Sequence, residues 1–171
     1  MTDLPTTPER LLDRLADLGI ATETLRHPPV FTVEEAQGLR APGGVLDGPG
    51  GHCKSLFLKD KKDRLWLLVC LEDRRIDMKA LPAVIGSARL SFGKPDLLFA
   101  TLGVHPGSVT PFALVNDTGR QVQVVLDRDM LAQPLLHYHP LRNDHTTRIA
   151  PGDLLRFIAA CGHRPLVVAL E

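Results

Sequence analysis

Large polar-capable aromatics are nearly missing from this chain of 171 residues, which holds one Trp and one Tyr. With only Trp66 and Tyr138 to offer, a base-stacking platform of the kind used by single-strand binders is not evident. Cysteine is equally sparse. Cys53, Cys70 and Cys161 are odd in number, far apart, and free of any Cys-x-x-Cys spacing, which excludes a disulfide framework and a zinc knuckle. Cys70 and Cys161 read as small buried hydrophobes. Excess charge is absent too: 20 Lys plus Arg balance 20 Asp plus Glu. A dedicated, sequence-independent nucleic-acid binder would be basic, so at most a local basic patch remains. No apolar run approaches the roughly 18 residues of a membrane span. The polar first eight residues lack a signal-peptide core, so a cytoplasmic location is expected. Repeats, low-complexity tracts and linkers are missing, and the length suits one domain over residues 1–171 with a sizeable core.

What is present is an ordinary globular pattern, 44% hydrophobic and 23% charged. Thr7 and Pro8 open a helix with Leu11, Leu12, Leu15 and Leu18 on one face, closed by Gly19. Residues 22–26 suit a short strand. Thr32-Val33-Glu34-Glu35 is a capping-box pattern for a short helix ending near Gly38. Residues 40–51 carry five glycines and two prolines and read as a mobile loop, suited to a lid. Residues 53–59 and 64–71 read as a hairpin joined by the Asp60–Asp63 turn. A helix is expected over 77–85, a strand over 88–92, a helix over 95–102 and a loop over 103–111. Strands over 112–115 and 121–126 follow, then a helix over 127–133, strands over 135–139 and 146–149, a helix over 151–161 and a last strand over 166–170. Strands and helices alternate without a regular βαβ period. The fold class expected is therefore α/β of the α+β type: a mixed, largely antiparallel central sheet flanked by helices.

Several residues could carry chemistry. Lys54 stands before an apolar strand and after the glycine-rich loop. Read blandly, it is a solvated strand-end charge. Read functionally, its ammonium sits at a cleft mouth and holds a phosphate backbone or positions water. The loop 103–111 is constrained by Gly103, Pro106, Gly107 and Pro111; its backbone N–H groups could meet a developing oxyanion, although any turn could look alike. His137 and His139 are two apart on a strand. A metal pair is conceivable with His52, His105, His145 or Cys53, but no His-Glu-x-x-His or comparable spacing supports it. Asn143, Asp144, Thr146 and Thr147 form a polar cluster that an Asx turn would explain as well. Arg89 and Lys94 flank a short strand as a possible phosphate patch. Lys59, Lys61, Lys62 and Arg64 form a second cluster, which solubility of a hairpin turn explains. Cys53 beside Lys54 could be a low-pKa nucleophile. No Ser-His-Asp order or acidic pair stands out.

Three separated signatures add a resemblance. They are Gly51-His52-Cys53-Lys54-Ser55-Leu56-Phe57-Leu58, then Gly107-Ser108-Val109-Thr110-Pro111, then His139-Pro140-Leu141-Arg142-Asn143-Asp144-His145-Thr146-Thr147. In that order and at those distances they resemble the YbaK/prolyl-tRNA synthetase editing-domain family, from about His27 to the C-terminus. Within it the chain looks most like the free-standing prolyl-tRNA editing branch. The resemblance implies an α/β editing fold and hydrolysis of mischarged Ala-tRNA(Pro) in trans, assisted by the ribose 2′-hydroxyl and without a metal or cofactor. It maps the family's lysine onto Lys54, its Gly-x-x-x-Pro loop onto Gly107 and Pro111, and the histidine lining the amino-acid pocket onto His139. His145 is not carried over. Asn143, Thr146 or Thr147 would then bond the substrate's amino group or ribose, with Arg89 and Lys94 on the acceptor stem. The expected partner is the acceptor end of aminoacylated tRNA(Pro), with prolyl-tRNA synthetase or an elongation factor as further candidates. Three other readings stay open: a Cys- or Ser-specific deacylase, a metal-dependent hydrolase using the histidines, and a binding module without turnover.

Overall fold

The computed structural model describes residues 5–29, 33–44 and 46–170. The first helix, α1 (Pro8–Asp17), forms as its signals require: the Thr7 side chain accepts from Arg10 N, Pro8 sits in the first turn, and Leu11 and Leu15 are buried. Strand β1 (Thr22–Arg26) follows, then α2 (Val33–Arg40). The capping residue expected for α2, Thr32, lies outside the described residues, and the helix runs on to Arg40 rather than ending near Gly38. Next come β2 (Gly51–Asp60) and β3 (Leu65–Leu71), the expected hairpin. The chain continues through α3 (Leu81–Ile85), β4 (Leu90–Phe92), α4 (Pro95–Leu102), a 3-10 helix (Pro111–Asn116), β5 (Val122–Asp127) and α5 (Arg128–Leu131). It ends with β6 (Leu136–Tyr138), β7 (His145–Ile149), α6 (Pro151–Ala160) and β8 (Leu166–Val168).

The sheet runs in the order β1-β7-β6-β2-β3-β5-β8, with β4 added to β2. Pairings β1/β7, β2/β3, β2/β4 and β6/β7 are antiparallel, whereas β2/β6, β3/β5 and β5/β8 are parallel. The sheet is thus mixed, with the antiparallel pairings in the majority. One face packs Phe57, Leu67, Val124 and Tyr138 against α1, α4, the 3-10 helix and α6. The other packs Leu58, Trp66, Leu68 and Cys70 with Leu81 and Ile85 of α3. Central β3 and β5 are buried on both faces, which is why they read as near-continuous apolar runs.

Two expectations fail locally. Residues 112–115 are not a strand: Pro111 opens a 3-10 turn and the Thr110 side chain accepts from Phe112 N. A short apolar run cannot separate a buried helix from a strand by periodicity. The helix expected over 77–85 starts only at Leu81. Asp77 instead caps a preceding turn, accepting from Lys79 N at 2.9 Å.

Candidate active site

Strand β2 organises the site because its free edge is split. Strand β3 occupies one edge, so β4 and β6 must share the other. Strand β6 meets β2 only at Gly51 and His52, and β4 meets it only at residues 58–60. Residues 53–56 therefore face an opening with no strand beside them, about 13 Å long at the usual rise per residue. Lys54 lies in this stretch, half-buried, four residues into the strand rather than at its end. Its Nζ donates to the Arg74 carbonyl at 2.5 Å, leaving two further N–H donors.

Register parity places the other side chains. Residues two apart on a strand share a face, so His52 and Lys54 point the same way. His137 pairs with His52, and their rings lie 4.2 Å apart. Arg148 pairs with His137, and Thr146 follows on the same face. Arg40, at the end of α2, enters this group through an ion pair with Glu72. His27 closes it: Nε2 shares a 2.7 Å hydrogen bond with the Thr146 hydroxyl, and its ring centroid is 6.2 Å from that of His139.

The described part of the loop 41–50 folds over the group. Pro49 O is 3.1 Å from His137 Nε2, and Arg148 donates to the Asp47 carbonyl at 2.9 Å. Gly50 is required here. Its φ is +118°, and a Cβ would stand 2.7 Å from His137 Nε2.

His52, His137 and His139 are held neutral. Burial, then Arg40, His137 and Arg148, pull His52 down to about 3. Burial lowers His137 and His139 as well, outweighing the bonds to carbonyls that raise them. His139 Nδ1 lies 3.0 Å from the His145 carbonyl. A carbonyl only accepts, so Nδ1 carries the proton and Nε2 of the neutral ring keeps its lone pair.

The turn after β6 that carries His139 is strained. Leu141 has φ +69°, rare for a bulky residue. Packing of Leu141 against the core holds it there, as does Asp144, which accepts from Arg142 at 2.7 Å and lies 2.7 Å from His145 Nδ1. The bonds from Arg142 and His145 keep the Asp144 carboxyl well below its ordinary range. Asn143, half-buried beside it, leaves its side-chain amide without a partner among the described residues.

The remaining expected residues sit elsewhere. Thr147 faces the opposite side of β7, fully buried, and shares a 2.8 Å bond with the Thr24 hydroxyl. Gly107 occupies a turn in which Ser108 N donates to His105 O at 3.0 Å. Pro106 before it and φ +93° at Gly107 fit a type II turn. The N–H groups of Gly107, Val109 and Thr110 have no acceptor among the described residues. Pro111 is buried in the 3-10 helix that packs on α4, and no hydrogen bond among the described residues joins this turn to Lys54 or His139. Arg89 and Lys94 lie at the far end of β2 beside β4.

The thiol and metal alternatives meet specific obstacles. Burial pushes the Cys53 thiol up to about 12, the reverse of an activated nucleophile. His105 stacks on Phe99 and His145 binds Asp144. Among the described residues, no group of three or more His, Cys, Asp or Glu side chains is placed to hold a metal ion.

Sequence reading missed Arg40, Glu72, His27 and Arg148. Arg148 was within reach, since it lies two residues past Thr146 on a strand. Arg40 and Glu72 meet only through the tertiary fold and leave no local signal.

Residues 27–157 match the aminoacyl-tRNA editing domain, well over half of the chain. The chain belongs to the aminoacyl-tRNA editing domain family. The match spans Lys54, Gly107, Pro111 and His139. A zebrafish (Danio rerio) relative, Prolyl-tRNA synthetase associated domain-containing protein 1, is 38% identical over 95% of this chain and 87% of its own length. The Prolyl-tRNA editing protein ProX of Acetoanaerobium sticklandii is 32% identical over 91% of this chain and 92% of its own. A solved structure described as a candidate trans-editing enzyme for prolyl tRNA synthetase shares the fold, with a TM-score of 0.71 at 21% identity, covering 99% of this chain and 100% of that one. The chain is therefore an editing-domain protein related to prolyl-tRNA trans-editing proteins, and its mixed sheet flanked by helices is the editing-domain fold. Among the described residues, no helix is long and apolar enough to cross a membrane.

Proposed function

We propose that this protein is a trans-acting deacylase, one editing domain that hydrolyses the ester of mischarged Ala-tRNA(Pro). The physical need is plain. Alanine is smaller than proline, so a synthetase pocket built for proline cannot exclude it by clash, and each missing methylene discriminates by only about 1–3 kcal/mol. A second site too tight for proline removes what slips through.

The split edge of β2 is where this reading puts the ester. Lys54 has donors left over after its bond to Arg74 O and holds the phosphate backbone beside the scissile bond. The unpartnered N–H groups of the 107–110 turn suit an oxyanion or the aminoacyl carbonyl, once the acceptor end brings them together. His139 bounds the side-chain pocket, and its free Nε2 accepts from the substrate ammonium or the attacking water. Thr146 and Asn143 serve the amino group or ribose; Thr147 faces the other side of β7. The ribose 2′-hydroxyl of the terminal adenosine assists water attack, and the 3′-oxygen leaves.

The observation that carries this reading is the 32% identity to the Prolyl-tRNA editing protein ProX over 91% of this chain, a span that includes Lys54 and His139. Single-turnover deacylation of Ala-, Cys-, Ser- and Pro-charged tRNA(Pro) tests it and ranks the amino acids. The vertebrate relatives are named for association with the synthetase, which favours prolyl-tRNA synthetase over an elongation factor as the protein partner.

A further inference from the structure

Two basic patches that lie apart in the sequence are one surface in the structure. The turn after β2 and the strand β4 lock together: Lys61 N donates to the Arg89 carbonyl at 3.0 Å, and β4 pairs with β2 at residues 58–60. Between them and the start of α4 opens a cleft of about 740 Å³, whose lining includes Lys59, Lys61, Arg89, Phe92 and Lys94. That volume is in the range of small-ligand clefts, about 300–1,000 Å³.

Its carboxylates do not cancel these charges. Asp60 is buried and already accepts from Arg64, Trp66 and the backbone of Lys62 and Ala88. Asp63 meets Lys59 at 3.2 Å with both groups exposed, a contact worth little in water. Asp96 is the other acid on the lining. Lys61, Arg89 and Lys94 form no ion pair among the described residues. Beside them Phe92 is 62% exposed, the most exposed large apolar side chain described.

Free cations around an open phenyl ring are what a single strand of nucleic acid needs: phosphates on the charges, a base on the ring. The position fits as well. Phe92 pairs with Leu58, which shares the face of Lys54 four residues away along β2, about 13 Å at the usual rise, and the split edge of β2 runs between them. A short run of unpaired nucleotides spans such a distance.

We propose that this cleft binds the unpaired 3′ nucleotides preceding the aminoacylated end of the tRNA, with one base stacked on Phe92 and the flanking phosphates on Arg89, Lys94 and Lys61. The identity of the RNA rests on the deacylase reading above; the single-strand chemistry rests on the cleft.

The test is fluorescence anisotropy with an uncharged acceptor-stem hairpin carrying its unpaired 3′ end, and with the same hairpin cut blunt. Wild type binds the overhang form more tightly. Phe92→Ala, at an exposed position where folding persists, weakens that form about 5- to 100-fold and leaves the blunt form unchanged. Phe92→Trp keeps the preference. The double variant Arg89→Ala/Lys94→Ala lowers the slope of log K against log salt by about 1.5, as loss of two phosphate contacts requires. Because the RNA is uncharged, a wild type that never deacylates yet shows these losses refutes the deacylase reading and leaves the cleft standing. A wild type that deacylates while Phe92→Ala binds the overhang unchanged refutes the cleft alone. Retention of anionic phospholipid vesicles through these residues, with RNA affinity untouched by the substitutions, would assign the surface to a membrane and also overturn the proposal.

Discussion

At the scale of single residues, the candidate site gathers neutral imidazoles beside cations. His52 is held at about 3 by burial and by Arg40, His137 and Arg148, whereas an unperturbed histidine titrates near 6.5. Below about 6.5 the unfolded chain takes up a proton that the folded one refuses, so this contribution to stability is full above that pH and is lost as pH falls toward 3. Urea midpoints at pH 7 and pH 5 should show the loss, and His52→Asn should reduce it; an equal loss in the variant contradicts the assignment. The lowered His139 predicts an imidazole that stays neutral to below 6.5, and a His139 midpoint at or above 6.5 by NMR contradicts that. Lys54→Ala should cut the single-turnover rate by on the order of 100-fold with little change in melting temperature, since the side chain is half-buried and makes one bond to a carbonyl. Wild-type rates in this variant would remove Lys54 from the chemistry. Lys54 and His139 were legible because their motifs are local. The raised Cys53 thiol was not, because burial from the far side of a strand has no sequence signature.

At the scale of elements, the described part of the loop 41–50 packs over the histidines. It was legible as a glycine-rich loop, yet its tie to the histidines through Pro49 and Asp47 was not. Gly50→Ala should force the loop off His137, costing about 1–3 kcal/mol at a left-handed position and slowing deacylation. A variant as stable and active as wild type would show that the contact is dispensable. Hydrogen exchange offers a second measurement. The described amides of the loop bond only within its own turns and to the end of α2, so they should exchange faster than those of β3 and slow when an acceptor-stem hairpin binds; β3-like protection in the free protein contradicts a lid. Helices α1 and α4 and the β2–β3 hairpin could be read from capping, proline and alternation signals. The 3-10 helix could not, because Pro111 to Leu114 are buried and such a run looks like a strand.

At the scale of the whole molecule, a neutral chain hides a local field. The balance of 20 cations and 20 acids conceals the cleft where Lys61, Arg89 and Lys94 stand together. It also conceals an exposed Phe92 that a count of Trp and Tyr passes over. Hairpin pairings were legible, whereas the parallel pairings β2/β6 and β3/β5 join segments more than 50 residues apart and leave no trace in local pattern. The split edge of β2 is a product of those long-range pairings, so the place of the site within the fold emerges only in three dimensions. The central claim is that this site removes alanine and spares proline. Its most direct test is the ratio of single-turnover deacylation rates on Ala-tRNA(Pro) and Pro-tRNA(Pro), measured for wild type and for His139→Ala. A proline ring that displaces the reactive carbonyl by about 1 Å should react on the order of 100-fold more slowly than alanine, and loss of the imidazole should narrow that ratio. Equal rates on the two tRNAs in wild type would contradict the account.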